Sequence, residues 1–288
     1  MTPFDEVEPD APWSPGVQLV VGDILDGERL SKAVAETGVM VHLAACTGVP
    51  ASVEDPHFDC TTNVMGVLNA LEAARHGRVQ RFIFASSGAP AGNVEPPIHE
   101  AIVPKPVSPY GASKLAGEAY CSAYAQTFSV ETVALRFGNV YGPRSRHKTS
   151  VVAKWINLAL TGKNIEIYGD GSATRDFVFT ADLVDAIFKA ASAPGSDVSG
   201  EVFQIATSQE TTVGELADLL CTTLADAGVR SPEVRFTSER LGDIKRNYAD
   251  TAKAQRLLGW TASTSLAHGL RCVVDGCVPS DAANAPSA

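Results

Sequence analysis

Arg81-Phe82-Ile83-Phe84-Ala85 is a short, almost wholly apolar run that stops at Ser86-Ser87-Gly88. It reads as a buried strand that ends in a hydroxyl pair and a turn residue. The segments around it alternate strand and helix. Strands are expected near 18–21, 39–43 and 131–137, and helices near 27–36, 63–75 and 108–127. That order argues an α/β fold, a doubly wound parallel sheet with helices on both faces and right-handed crossovers. In such sheets ligands sit beyond the carboxyl ends of the strands, and Ser87 stands at one of these ends.

Ser108-Pro109 opens the next helix, which carries Tyr110 and Lys114 four residues apart. At that spacing two side chains share a helix face, one above the other. A lysine cation beside a tyrosine hydroxyl favours the phenolate. With an ordinary pKa of about 10, a tyrosine needs roughly 4 kcal/mol of preference for the anion to serve as a base near pH 7. One cation about 4 Å away at a near-surface dielectric supplies up to about 4 kcal/mol, and burial opposes it. The lysine alone is barely enough, so a second positive charge, such as an oxidised nicotinamide ring, would help. Ser87, Tyr110 and Lys114 converging at one strand end form a proton-transfer site.

Past Ser150 the alternation loosens. A helix over 150–160 and short strands at 166–167 and 177–179 precede a helix over 181–192 and a strand at 202–205. A helix over 213–227, a strand over 234–236 and two short helices follow. Of 288 residues, 45% are apolar, as in an ordinary globular protein. The net charge of −10 argues against a general nucleic-acid or anionic-membrane partner. No apolar run approaches the ~20 residues of a membrane span, and no signal-peptide pattern opens the chain. The six cysteines are irregularly spaced, which fits reduced thiols in the cytoplasm and no zinc site.

Read in order, these segments resemble the extended short-chain dehydrogenase/reductases, in particular the NAD-dependent nucleotide-sugar epimerases and dehydratases, from about Val17 to Leu270. Gly22-Asp23-Ile24 is similar to that family's adenine-contacting turn, and Val41-His42-Leu43-Ala44-Ala45 to the strand that passes under the cofactor. Asn63-Val64-Met65-Gly66 matches its Asn-Val-x-Gly helix. Ser87, Tyr110 and Lys114 match the catalytic set, and Leu135 to Pro143 the strand and loop that meet cofactor and sugar. Ile167 to Gly171, Thr174 to Phe177 and Arg240-Leu241-Gly242-Asp243 match segments that hold the nucleotide diphosphate.

The resemblance implies a Rossmann-like domain over 17–149 and a smaller, discontinuous substrate domain over 150–278, with about 181–205 returning to the main sheet. Residues 1–16 and 279–288 are expected to be disordered. The implied cofactor is NAD, with contacts from Asp23, Ile24, Leu43, Ala44, Ala45, Asn63, Ser86, Tyr110, Lys114 and Gly138. The implied substrate is a nucleotide sugar, met by Ser87, Asn139, Ser150, Val151, Tyr168, Arg175, Arg240 and Asp243. A homodimer is implied as well, on the helices expected over 63–75 and 108–127, with Val67, Leu71, Leu115, Ala116 and Ala119 at the contact.

Read by themselves, Arg175 and Arg240 are surface ion-pair partners of Asp176 and Asp243; within the family motifs they suit a diphosphate, which a guanidinium fork holds with two bonds. Tyr168 either stacks on a base or packs on its own loop. Asn139 either bonds a sugar or caps the following loop. His42 reads as a satisfied structural histidine. Arg144, Arg146, His147 and Lys148 form either a solvated loop or a receptor for a substrate carboxylate. Gly138, where several hexose epimerases are bulkier, suggests room near the nicotinamide.

The chain departs from the family pattern at its start. A dinucleotide site opens with a strand, a glycine-rich turn and a helix N-terminus that receives the pyrophosphate, and no G-x-G-x-x-G occurs here. The expectation is that Met1 is an internal or misassigned start and that the chain as written binds NAD poorly. The favoured activity is 4-epimerisation through a 4-keto intermediate. A 4,6-dehydratase needs an acid after the strand-end hydroxyl, where this chain has Gly88-Ala89; a 4-ketoreductase would use the same triad. From another class comes a cofactor-deficient, non-catalytic binding subunit.

Overall fold

The structure, a computed structural model, describes residues 16–35, 37–145, 150–239 and 244–277. From its start the chain alternates α1 (Gly27–Ala33), β1 (Val39–His42), two short helices α2 (Val49–Glu54) and α3 (Pro56–Cys60), α4 (Gly66–His76), β2 (Arg81–Ser87), α5 (Pro109–Phe128) and β3 (Glu131–Phe137). Next come β4 (Asn139–Tyr141), α6 (Val151–Leu160), β5 (Ile165–Tyr168), β6 (Thr174–Arg175), β7 (Phe177–Phe179), α7 (Thr180–Ser192), α8 (Gly195–Val198) and β8 (Glu201–Ile205). The last elements are β9 (Thr211–Thr212), α9 (Val213–Asp226), β10 (Val234–Thr237), α10 (Ala252–Leu258) and α11 (Leu266–Asp275).

β1, β2, β3 and β8 hydrogen-bond in that order, all parallel. Side chains of successive strand residues point to opposite faces, so each strand feeds two cores. Phe82, Phe84 and Ala134 pack with Val67, Ala70, Leu71 and Tyr124 of α4 and α5. Ile83, Val133, Leu135 and Phe203 pack with Ala186, Ala190, Ala254 and Trp260 on the other side. A third core joins Tyr141, Trp155, Ile165, Leu216 and Leu270, drawn from α6, α9, α11 and the short strands. There β5 pairs with β10 and β4 with β7, away from the main ladder.

The two edges of the main sheet differ. On β8, Phe203 and Ile205 are fully buried. On β1, Val39 and Val41 are exposed, as is Leu43 just beyond it. The strand expected at 18–21 does not form: Val17, Leu19, Val20 and Val21 are each at least half exposed and belong to no ladder. No strand lies beside this segment among the described residues, so it lacks both a hydrogen-bonding partner and a face to bury, and neither alone sustains a strand. α1 also stops at Ala33, short of the expected 36.

α5 is held where its ends and its packing demand. Ser108 accepts a hydrogen bond from the Gly111 N–H at 3.1 Å and Pro109 opens the first turn, a strong start signal. Midway, a Cβ on Gly117 would lie 2.4 Å from the Phe84 ring, so only glycine lets the helix ride directly on β2. α4 is entered through a π-turn at Thr61–Met65 rather than as one helix from Asn63. Such turns widen the backbone spiral and re-aim side chains, often at functional sites.

Candidate active site

The close ride of α5 over β2 brings Lys114 against the end of that strand. Its side chain is buried, and Nζ donates to the Ala85 carbonyl at 2.9 Å. Nζ also lies 5.1 Å from the Phe84 ring and 5.9 Å from the Tyr110 ring. Ser87 hydrogen-bonds the Tyr110 hydroxyl and accepts the Ala89 N–H at 3.2 Å. Serine, tyrosine and lysine therefore do converge.

Their titration differs from the sequence expectation. Burial pushes the Tyr110 hydroxyl above its ordinary value; the Ser87 hydrogen bond opposes this, and the Asp59 charge adds to it. The ammonium of Lys114 is turned to the Ala85 carbonyl and does not offset the burial. Burial also holds Lys114 itself down, to about 8, while Asp59, Cys46 and Glu118 work to keep it charged. In this state the phenol is a proton donor, and deprotonation needs further positive charge.

The π-turn places Asn63 at the hub of a buried network. Its Oδ1 accepts the Cys46 N–H at 2.8 Å, and its Nδ2 reaches the Cys46 carbonyl at 3.0 Å, Asp59 Oδ1 at 2.9 Å and Ser113 Oγ at 3.2 Å. Ser113 in turn donates to the Tyr110 carbonyl at 3.0 Å. The loop after β1 is thus tied to the helix that carries the tyrosine. Sequence reasoning missed Asp59 and Ser113, although Asp59 precedes Asn63 by one helical turn, a legible spacing.

Beneath β2, Arg136 donates to both oxygens of Glu118, at 2.8 and 2.7 Å, and Ser86 Oγ donates to Glu118 Oε1 at 2.5 Å. Ser86 therefore directs its hydroxyl into the protein. Glu118, also missed, lies four residues beyond Lys114 on the same helix face.

Of the other residues assigned to NAD, Leu43, Ala44 and Ala45 follow the exposed strand β1, while Gly138 lies at the opposite side of the sheet, after β3. Asp23 is exposed and its carboxylate accepts the Leu25 N–H at 2.9 Å, while Asn69 donates to the Ile24 carbonyl at 3.0 Å. Leu43 is exposed, Ala44 half-buried and Ala45 buried. His42, behind them, is stacked near Phe82 and Phe84, and burial lowers its pKa to about 4. Its Nε2 has no hydrogen-bond partner among the described residues, so this histidine is buried but not satisfied by them. At Gly138 a Cβ would meet the Asp176 carbonyl at 3.0 Å and Ala206 at 3.2 Å. The glycine there serves a tight crossing and leaves no spare room.

These groups fit the nicotinamide-ribose end of NAD. Lys114 Nζ carries three donors and uses one, beside an exposed apolar strand end and an orphaned imidazole nitrogen. Among the described residues, no glycine-rich turn leads from a strand into a helix N-terminus that would cradle the diphosphate.

A cleft of about 360 Å³ opens beyond β4, lined by Asn139, Ser150, Val151, Tyr168 and Arg175, with Lys154, Trp155 and Glu166. Ser87 pairs in register with Phe137, and the chain continues from there through Gly138 to Asn139. Two residues thus separate the proton-transfer corner from the cleft wall. Arg175 Nη1 donates to the Thr174 and Ile244 carbonyls at 2.7 and 2.8 Å, which fixes the guanidinium. Asp176 is buried and accepts from Thr207, Ser208 and Ala249, so its carboxylate is committed elsewhere than to Arg175. Lys154 was missed; it is the lone cation on α6, whose other residues are apolar except Asn157. Arg240, Asp243, Arg146, His147 and Lys148 lie outside the described residues.

Such a parallel sheet, with serine, tyrosine and lysine gathered at one strand end beside a polar cleft, defines a proton-transfer enzyme of the dinucleotide-dependent α/β class. The family model for the NAD dependent epimerase/dehydratase family matches residues 5–206, and the chain belongs to that family, whose cofactor is NAD. It is 37% identical to a UDP-glucose 4-epimerase of Mycolicibacterium smegmatis, over 90% of this chain and 82% of that one. The UDP-glucose 4-epimerase of Thermotoga maritima with UDP-glucose superposes with a TM-score of 0.82 at 33% identity, covering 89% of this chain and 82% of the other. The UDP-glucuronic acid 4-epimerase of Bacillus cereus, with UDP-glucuronic acid and NAD, gives 0.82 at 32%, covering 90% and 81%.

Proposed function

We propose that the chain is a nucleotide-sugar epimerase that inverts C4 through a 4-keto sugar. The observation that carries this reading is the Ser87–Tyr110–Lys114 corner, two residues of chain away from a cleft that presents Arg175, Lys154 and Tyr168. Arg175 and Lys154 supply positive charge for a diphosphate, and Tyr168 offers a ring face to a base. When bound, NAD supplies reversible two-electron oxidation of the sugar carbinol.

Tyr110 takes the proton from the 4-hydroxyl and later returns it. Ser87, bonded to the same phenol, bridges it to the 4-oxygen. Lys114 keeps its ammonium 5.9 Å from the Tyr110 ring, and its remaining donors would hold a ribose hydroxyl of bound NAD. Acid for elimination is missing after Ser87, where a single helical turn at Ala89–Ala91 buries Pro90 and Ala91. That disfavours a 4,6-dehydratase; a 4-ketoreductase would use the same groups.

A homodimer on α4 and α5 belongs to the same proposal, with one correction. Val67 and Leu71 lie in the core and cannot meet a partner. The contact falls instead to Ala119, Tyr120 and Met65, which are exposed, with Leu115 and Ala116 at its margin. No helix among the described residues is long and apolar enough to cross a membrane, and the reading places the enzyme in the cytoplasm.

The test is incubation with UDP-, GDP- and dTDP-sugars plus NAD, with products read by NMR. A C4 epimer is expected from one of them. Tyr110→Phe removes only a hydroxyl, so turnover should fall by about 10²–10⁴-fold with the melting curve unchanged, and Ser87→Ala should cost less. More than a few per cent of parent turnover in Tyr110→Phe means the base is misassigned.

A further inference from the structure

Arg175 is held at the cleft by two carbonyls, and one of them comes from far along the chain. Its Nη1 donates to the neighbouring Thr174 carbonyl and to that of Ile244, 69 residues away. The Ile244 carbonyl is only as well placed as the segment that carries it. Residues 244–250 form no helix, and their one ladder contact is an isolated bridge between Ile98 and Ala249.

The two ends of this segment are fastened differently. At 248–250, the Ile98 N–H donates to the Tyr248 carbonyl and the Asp250 N–H to the Ile98 carbonyl, both at 2.9 Å. The Ala249 N–H donates to Asp176 at 3.3 Å. Towards Ile244 the backbone is held by β6. The Thr174 N–H donates to the Lys245 carbonyl at 2.8 Å, and the Thr174 hydroxyl accepts the Asn247 N–H at 3.3 Å. Lys245 itself points to solvent, 4.0 Å from an equally exposed Glu239.

Arg246 supplies the remaining hold. Its Nε and Nη2 donate to the two oxygens of Glu210 at 2.7 and 2.9 Å, and its Nη1 donates to Glu95 at 2.5 Å. Glu210 also accepts the Thr174 hydroxyl at 2.8 Å. One carboxylate thus grips Thr174, which presents the first carbonyl to Arg175, and Arg246, two residues from the second. A lone exposed ion pair contributes little, because solvent screens it and two long side chains must be ordered. Arg246 differs from that case, with all three nitrogens engaged and a fork geometry at Glu210.

We infer that Arg246 is a positioning residue for Arg175: by bridging Glu210 and Glu95 it pins residues 244–247 against Thr174, so that the Ile244 carbonyl keeps the Arg175 guanidinium in place for a ligand diphosphate. The nucleotide-sugar reading supplies only the ligand; the path from Arg246 to Arg175 stands on the hydrogen bonds.

The test first reads Arg175 without ligand. Trace modification with phenylglyoxal, with the Arg175 peptide followed by mass spectrometry, reports how firmly that guanidinium is held; exposed Arg256 is the internal reference. In Arg246→Met the relative rate at Arg175 should rise about two- to tenfold, the worth of one hydrogen bond. Arg246→Lys keeps the charge without the fork and should fall between variant and parent. An unchanged rate in Arg246→Met overturns the inference. Should that variant fail to fold, Glu210→Gln breaks the same fork from its other side and is judged by the same rate.

Calorimetric titration with UDP reads the consequence. Arg246→Met should weaken UDP binding about two- to tenfold, and Arg175→Met about tenfold or more. The double variant should bind no worse than Arg175→Met, because Arg246 acts through Arg175. Losses that multiply in the double variant overturn the inference, since independent effects add in free energy. If the parent itself does not bind UDP, the nucleotide-sugar reading fails, while the labelling still decides Arg246.

Discussion

β1 and β8 are the two edges of one sheet, and their burial could hardly differ more. β8 lies under α10 and Trp260, and its Phe203 and Ile205 are fully enclosed. β1 shows Val39 and Val41 to solvent on one side of the strand and keeps His42 buried on the other. In composition β1, Val-Met-Val-His, is no less apolar than β8, Glu-Val-Phe-Gln-Ile. The difference teaches that composition alone does not bury a strand: each edge has one strand neighbour, but α10 and Trp260 roof β8, whereas nothing among the described residues covers Val39 and Val41 of β1. The residues from Leu43 to Cys46 follow the exposed edge, and Asn63 ties that loop down through the Cys46 N–H and carbonyl.

The sharpest way to break this comparison is to empty one site on each edge. Phe203→Ala should cost about 3–5 kcal/mol in urea unfolding, through lost burial and a residual cavity. Val41→Ala should change stability by less than about 0.5 kcal/mol, as surface substitutions do. Equal losses would mean that the β1 edge is covered in solution.

Acid should reveal the buried side of β1. His42 has its folded-state pKa lowered to about 4 from an ordinary 6.5. The unfolded chain therefore binds the proton first. The stability that depends on a neutral His42 is fully present above about pH 6.5 and is lost as pH falls towards 4, about 2 kcal/mol of it by pH 5. Unfolding measured at pH 7 and pH 5 in the parent and in His42→Gln checks this: the variant should lose that much less on acidification.

Smallest in stability, but visible in solution, is a charge on the open edge. Val41→Lys should leave the unfolding midpoint nearly unchanged and reduce light scattering at high concentration, because an edge lysine discourages strand-to-strand pairing. Unaltered scattering would show that the edge does not drive association.

Much of the site was legible because it is local. Tyr110 and Lys114 share a helix face by spacing alone, and the apolar run ending in Ser86-Ser87 announces a strand and its ligand-facing end. The cleft residues Asn139, Ser150, Val151, Tyr168 and Arg175 were likewise marked by their segments, and all line one cavity. What escaped was long-range. Asp59 meets Ser113 across more than fifty residues of chain, and Glu118 joins Ser86 and Arg136 from two different strands.

The sequence by itself determined the parallel sheet, its helices and the shared helix face of Tyr110 and Lys114, since hydrophobic period, caps and helical spacing act between near neighbours. Only the tertiary structure decided their state. It turned Lys114 to the Ala85 carbonyl, raised Tyr110 instead of lowering it, closed the space at Gly138, and left Val17 to Val21 without a ladder. Desolvation, close backbone approach and strand pairing each depend on what the fold brings alongside a residue, and that partner lies far away in the chain.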